Sequence, residues 1–237
     1  MNNSGGRFLG ELDKVSDVIY RPILEKGLKK LCASKAGDSQ ILEIGSGIGS
    51  ITTTLLKYGH VSATDINPDY VDHLNSRFSN KTNFKSYVWD ASKEDVEKTG
   101  SFDLLVSFNV LEHLADDDKA LENWGKLIKD NGSMIILTPN YKWLFSSLDK
   151  AVSHFRRYSK KNLTTKVKNA GFEIIDVYYG NAFGILGWIL NGLILKRTDL
   201  PSGQLKMYAF CKKLLWIFEK IVEKFCGLSV IVVAKKI

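Results

Sequence analysis

Ile41-Leu42-Glu43-Ile44-Gly45-Ser46-Gly47-Ile48-Gly49 is the stretch that decides the fold: a short apolar run ends in a turn with three glycines, and Ser50–Tyr58 follow with a helix-compatible pattern. The glycines have a physical reason. The backbone must turn sharply, and a ligand can lie against it only where no Cβ intervenes. Outward from this strand, turn and helix, Val61–Ala63 runs into Thr64-Asp65 as a second strand, and Asn67-Pro68-Asp69 opens a helix with Pro68 suited to its first turn. Phe84–Trp89 reads as a third strand ending at Asp90, and Phe102–Phe108 as a buried fourth. A helix over Ala120–Ile128, a turn at Asn131-Gly132 and a fifth strand over Ser133–Leu137 follow, stopped by Thr138-Pro139-Asn140. Strands that alternate with helix-length segments imply βαβ crossovers and a largely parallel sheet, whose ligands sit beyond the carboxyl ends of the strands. Glu43–Gly49, Asp65, Asp90 and Asn109–His113 all fall at such ends.

The rest of the chain completes the sheet. The pattern loosens over Tyr141–Tyr158, resumes as a helix over Leu163–Ala170, and gives strands at Phe172–Tyr179 and Leu228–Ala234. Between the last two strands, where a hairpin would suffice, lies a long insertion; insertions of that length tend to carry function. Its Ala182–Leu195 half is almost wholly apolar, and too short and glycine-rich to span a bilayer. Its Leu205–Phe225 half reads as an amphipathic helix with Tyr208, Cys211, Leu215, Phe218, Val222 and Phe225 on one side and lysines opposite. The expected organisation is one domain: an N-terminal arm and helix over 1–40, a core over 41–179, a helical insertion over 180–227 and a last strand over 228–237. The expected fold is an α/β Rossmann-like, mostly parallel seven-stranded sheet with helices on both faces and the helical insertion before the last strand.

The bulk numbers agree with that organisation. At 237 residues, 44% hydrophobic and 25% charged, the chain can bury a substantial core, and neither disorder nor a fibrous repeat is indicated. Met1–Gly10 is polar and glycine-rich and reads as a loose arm without the apolar core of a secretion signal. Cys32, Cys211 and Cys226 form neither a metal spacing nor an even set, which suits a reducing cytoplasm. The net charge of +7 admits phosphate, anionic lipid or nucleic acid as partners but sits largely in helix-patterned stretches, where lysines ordinarily face water.

Four motifs in order give the chain a family resemblance over about 41–170. Leu42–Gly49 resembles the first motif of class I S-adenosylmethionine-dependent methyltransferases, Asp65 their ribose-binding acid, Trp89-Asp90-Ala91 their adenine-contacting turn, and Phe102–Leu105 through Asn109–Leu114 their fourth motif. The resemblance implies S-adenosylmethionine as cofactor and S-adenosylhomocysteine as product. Glu43 would fix the glycine turn or the amino end of the donor; Gly45, Ser46 and Gly47 would let the donor lie against the backbone; Asp65, with Ile66 beside it, would hold the ribose. Asp90 and Ala91 would meet the adenine, and Asn109 and Tyr20 the methionine side. A helix N-cap is the structural alternative for Asp90, and a packed aromatic that for Tyr20. Against a nicotinamide enzyme, Ser50 takes the place of the dinucleotide fingerprint's third glycine.

Methyl transfer is displacement at an already activated sulfonium, so the protein must chiefly align the acceptor and exclude water; a hydroxyl acceptor also needs a base, for which histidine is suited. His113, after the fourth strand, and His154 are the candidates. Ser153-His154-Phe155-Arg156-Arg157-Tyr158-Ser159, with Asp149, Pro139 and Asn140, resembles a bacterial methyltransferase group associated with cell-surface polysaccharide, lipid or specialised-metabolite pathways. That resemblance names no substrate. By their chemistry His154 is the candidate acceptor-side base, and Arg156, Arg157, Tyr158 and, from the insertion, Trp188 are candidate acceptor contacts, while a helix entry with Ser159 as N-cap and arginines tied to surface acids is the structural alternative. Glu112, His113 and His154 also resemble the metal pattern of small-RNA terminal 2′-O-methyltransferases, with Asn109 where a first Glu would stand, so no metal is assigned. The expected acceptor is a small-molecule or lipid-linked amphiphile, with peripheral membrane contact left open. The rival readings are a metal-assisted RNA 2′-O-methyltransferase and a non-catalytic cofactor-binding protein.

Overall fold

A computed structural model describes residues 3–31, 37–95, 98–201, 203–204, 207–208, 210–211 and 216–237, with side chains described from residue 16 onward and not at 216–217. Cys32, Leu205 and Leu215 lie outside the described residues. The strands are β1 (Ser39–Ile44), β2 (Gly59–Asp65), β3 (Phe84–Val88), β4 (Phe102–Phe108), β5 (Ile128–Pro139), β6 (Phe172–Gly180) and β7 (Ser229–Lys236). They form one seven-stranded sheet in the order β3-β2-β1-β4-β5-β7-β6. Pairing is parallel from β3 through β5, and β7 runs antiparallel to both β5 and β6.

The expected sheet thus stands, with helices on both faces. Because successive strand residues point to opposite faces, β1, β4, β5, β6 and β7 each feed two cores. Leu42, Leu105, Ile136 and Val232 pack with Trp124 of α4 (Asp117–Leu127) and Leu163 of α6 (Lys160–Asn169). Ile41, Val106, Ile135 and Val233 pack with Leu24 of α1 (Asn3–Lys30), Leu55 of α2 (Thr52–Leu55) and Leu74 of α3 (Pro68–Arg77). Asn67 caps α3 by accepting from the Asp69 N–H, with Pro68 in the first turn, and Ser159 caps α6 by accepting from the Asn162 N–H.

Four boundaries differ from expectation. Helix α1 takes in most of the expected loose arm, and Pro22 lies inside it; its fixed φ is helical and its missing N–H removes only one backbone bond. Only Thr52–Leu55 of the stretch after the glycine turn is helical as α2. Strand β5 begins at Ile128, so Asn131-Gly132 is a bulge inside a strand rather than a turn before one; Asn131 has φ 61° and the β4–β5 register shifts between Phe102 and Leu104. In the insertion, α7 (Gly184–Trp188) continues as a π-helical segment over Ile189–Ile194, and α8 (Trp216–Val222) precedes β7. Most of the expected apolar stripe of the second half does not face inward: Tyr208 lines the cavity, but Cys211 is exposed, and Phe218 and Phe225 are 58% and 76% exposed. On α8 the inward positions go instead to Glu219, 3% exposed, and beyond it Glu223 accepts from the Asn181 N–H at 2.6 Å.

Candidate active site

At the carboxyl ends of β1 and β2 the glycine turn closes on the sheet. Gly45 and Ser46 donate their N–H groups to the Thr64 carbonyl at 2.8 and 2.9 Å. Gly45 and Gly47 sit at φ 72° and 52°, where side chains are disfavoured. A Cβ on Gly45 would lie 2.2 Å from Val110 Cγ2, whereas one on Gly47 would meet nothing within 4 Å. Asp65 spans the turn, its two carboxylate oxygens accepting from the Gly47 and Asn67 N–H groups at 2.9 Å each. Glu43 is fully buried; one of its oxygens accepts from the Thr52 hydroxyl at 2.6 Å and the other has no partner. Burial pushes its carboxyl up to about 8, so the group is largely protonated at neutral pH.

Next to this turn an apolar strip is bare. Ile66 is 67% exposed and Val88, registered beside Asp65, is 53% exposed. Asp90 ends the strip without capping a helix: it accepts from the Ser92 hydroxyl and N–H at 2.6 and 3.0 Å. The Ser92 hydroxyl holds its carboxyl below the ordinary range. Ala91 is buried, and its carbonyl accepts from the Trp124 indole at 2.9 Å, which fixes the loop. Val88 is a surface the sequence reading missed; a lone exposed Val at a strand end has no sequence signal.

On the other side of β4, Asn109 adopts φ 54° and donates to the Tyr20 hydroxyl at 3.0 Å. These two residues border a cavity of about 430 Å³ whose wall also includes His113, His154, Arg157 and Trp188. Six residues named from the sequence, spread from position 20 to 188, thus meet in one space.

Asp149 organises its far side. It is the N3 residue of α5 (Ser147–Ala151), closing a capping box with Ser146, and its other oxygen lies 2.9 Å from His154 Nδ1 and accepts from Arg157 Nε at 2.7 Å. The Trp188 indole donates to it at 3.3 Å, and the Arg157 guanidinium lies 4.5 Å from the Trp188 ring centre. Burial opposes ionisation of Asp149, but the bonds from His154 and Arg157 prevail and hold its carboxyl below the ordinary range. Arg157 also donates to the Asn140 carbonyl at 3.0 Å, and its second terminal nitrogen has no partner.

Glu112, His113 and His154 converge, with one ligand-capable atom of each within 4.8 Å of the others. The imidazole rings stand edge to face 4.6 Å apart, and His154 Nε2 lies 3.8 Å from Glu112 Oε1. Glu112 is fully buried with both oxygens unpartnered, and burial pushes it up to about 8. Burial lowers the His113 imidazole below its ordinary value, and the neighbouring His154 adds to that. Asn109 stands apart from this group, since its amide is bonded to Tyr20.

Two sequence-named residues lie elsewhere. Tyr158 is fully buried and donates to Asp117 at 2.8 Å, and Arg156 pairs with Asp117 at 2.6 Å and donates to the Ala115 carbonyl. Neither is on the cavity wall, because the acid that opens α4 draws both away from it. Conversely Asn181, Asn191 and Gln204 line the cavity and went unnamed because amides within an insertion carry no spacing signal; Tyr208, expected on the apolar side of the insertion, lines it too.

The sheet order with β7 reversed, together with the glycine turn and the acid at the end of β2, defines a Rossmann-like class I methyltransferase fold. Residues 42–134 match the methyltransferase-domain family. The relatives are only partly spanned. The highly reducing polyketide synthase GPY1 of Gibberella fujikuroi is 31% identical over 119 residues, 45% of this chain and 5% of that protein. A ubiquinone biosynthesis O-methyltransferase of Rickettsia bellii is 29% identical over 139 residues, 58% of this chain and 56% of that protein. In fold, the chain is similar to an S-adenosylmethionine dependent methyltransferase from Mesorhizobium loti, with TM-score 0.64, 13% identity and coverage of 92% and 97%.

Proposed function

We propose that this chain moves the methyl group of S-adenosylmethionine to a small amphiphilic acceptor bearing an anionic group. One observation carries the reading: a single cavity is walled by Tyr20 and Asn109 on one side and by His154, Arg157 and Trp188 on the other. Asp65 holds the ribose in this reading, the bare Ile66–Val88 strip and the Asp90 turn take the adenine, and the open space over Gly47 takes the donor's chain. Tyr20 and Asn109 then bring the methionine end, and with it the methyl group, to the cavity. Trp188 gives the acceptor an apolar wall, and the unpartnered Arg157 nitrogen a carboxylate or phosphate contact. His154, its Nδ1 held by Asp149, turns Nε2 to the acceptor proton, in the way a buried carboxylate orients a catalytic imidazole.

The test is incubation of the purified chain with methyl-labelled S-adenosylmethionine and host extracts. Label is expected in a low-molecular-weight amphiphile, and its loss is expected in Arg157→Gln at unchanged S-adenosylhomocysteine affinity. Label in RNA, or none with a folded chain, defeats the reading.

A second reading is favoured by the two orphaned oxygens of Glu112. A divalent cation on Glu112, His113 and His154 would satisfy them and would polarise the acceptor oxygen. Loss of transfer on chelation, absent in Glu112→Gln, which would already be slow, distinguishes it from the proton-transfer reading.

A further inference from the structure

The insertion has two faces. Inward, Trp188 and Asn191 line the cavity. Outward, α7 and its π-helical continuation present Leu186, Leu190 and Ile194 at four-residue spacing, 69%, 45% and 65% exposed, while the α8 segment presents Phe218, Ile221 and Phe225, 58%, 50% and 76% exposed. The rings of Phe183 and Phe218 stack with centres 6.3 Å apart, which joins the two helical stretches. With Leu195, Met207 and Phe210, the insertion holds nine of the seventeen large hydrophobic side chains exposed among the described residues. Singly scattered apolar residues are ordinary on a surface; such a concentration on one segment marks an interaction face.

Charge selects what covers it. From Gly180 to Gly227 the sequence carries seven Lys and Arg against three acids. Glu219 is buried and Glu223 is bonded to the Asn181 backbone, so Asp199 is the exposed acid of the insertion among the described residues. Lys196, Lys220 and Lys224 are exposed within the same segment as the apolar side chains. A second copy meeting this face about a twofold axis would set like charge against like. An anionic bilayer takes up the apolar side chains and attracts the lysines. No helix among the described residues is long and apolar enough to cross a membrane, so the contact is one of lying on the surface.

We infer that the outer face of the insertion docks on an anionic phospholipid bilayer. The inference holds whatever the acceptor is, and so goes beyond the reading of the cavity. The test is co-sedimentation of the full chain with vesicles of phosphatidylcholine and phosphatidylglycerol at three to one, against phosphatidylcholine alone. The chain is expected to pellet with the anionic vesicles at least tenfold more strongly, and less so as salt rises. The double variants Leu186→Ser/Ile194→Ser and Lys196→Glu/Lys224→Glu are each expected to lose at least tenfold of that binding, and both alter exposed positions. Should the first fail to fold, the charge variant decides. Wild-type chain left in the supernatant, equal pelleting by the charge variant, or a concentration-dependent dimer that the serine variant dissolves would overturn the inference. S-adenosylhomocysteine binding, measured calorimetrically on the same samples, reports separately on the methyltransferase reading.

Discussion

Gly45 and Gly47 share a left-handed backbone, yet a methyl group added to each should have opposite consequences. At Gly45 the new Cβ would sit 2.2 Å from Val110 Cγ2, an overlap relieved only by turning the Val110 side chain or moving the loop after β4. At Gly47 it would meet nothing within 4 Å. Gly47→Ala therefore bears only the left-handed strain, about 1–2 kcal/mol. For a chain of this size each kcal/mol lowers Tm by roughly 2–4 °C, so a fall of about 2–8 °C is expected, and a larger one for Gly45→Ala. The space over Gly47 is where the donor is proposed to lie. A methyl group there should weaken S-adenosylhomocysteine at least tenfold, about 1.4 kcal/mol, while the folded structure persists. Thermal unfolding without ligand and titration calorimetry with it measure the two quantities on one sample. If Gly47→Ala binds the product as tightly as the wild type, the proposed path of the donor over this turn is wrong; if it melts no differently from Gly45→Ala, the packing contrast between the two glycines is wrong.

Glu43→Gln should alter the pH dependence of stability. The folded chain keeps the Glu43 proton up to about pH 8, while the unfolded chain releases it near the ordinary 4.5. Stability from this group therefore falls as pH rises through that window and levels off above it, by at most about 5 kcal/mol; in ligand-free melting curves from pH 5 to 9 the Gln variant should lose that share of the slope. Asp149→Ala strands Arg157, 2% exposed, without its carboxylate, and should cost about 3–5 kcal/mol in denaturant unfolding. His154→Gln should slow transfer by about 10²–10⁴ with S-adenosylhomocysteine affinity within twofold of wild type; an unchanged rate would remove His154 from the chemistry. Tyr158→Phe removes one buried hydrogen bond to Asp117, so it should lower stability by about 1 kcal/mol and leave the transfer rate unchanged.

The half proposed for the cofactor was legible because each of its features has a local cause. A glycine turn, an acid at a strand end and a Pro-opened helix are written in adjacent residues, and Asp65 and Gly47 meet as their spacing requires. The half proposed for the acceptor was legible only as candidates. His154 and Arg157 could be named from Ser153–Ser159, but their common dependence on Asp149 needs the capping box of α5, a tertiary fact. Tyr158 and Arg156 read like their neighbours yet answer to Asp117, a partner distant in sequence. The insertion misled most. Its apolar stripe has a helical period, but period alone does not say which side is wet, and Glu219 and Glu223 occupy the inner positions.

The two ends of the insertion leave the sheet side by side: the Leu228 N–H donates to the Asn181 carbonyl at 3.1 Å, and a Cβ on Gly227 would touch the Gly180 carbonyl oxygen. The β6–β7 pairing fixes that juncture whatever lies between. The segment therefore leaves and rejoins the sheet at one seam, and a change in its side chains alters the wall it gives the cavity and its bonds to α5 without reaching the glycine turn at β1 and β2.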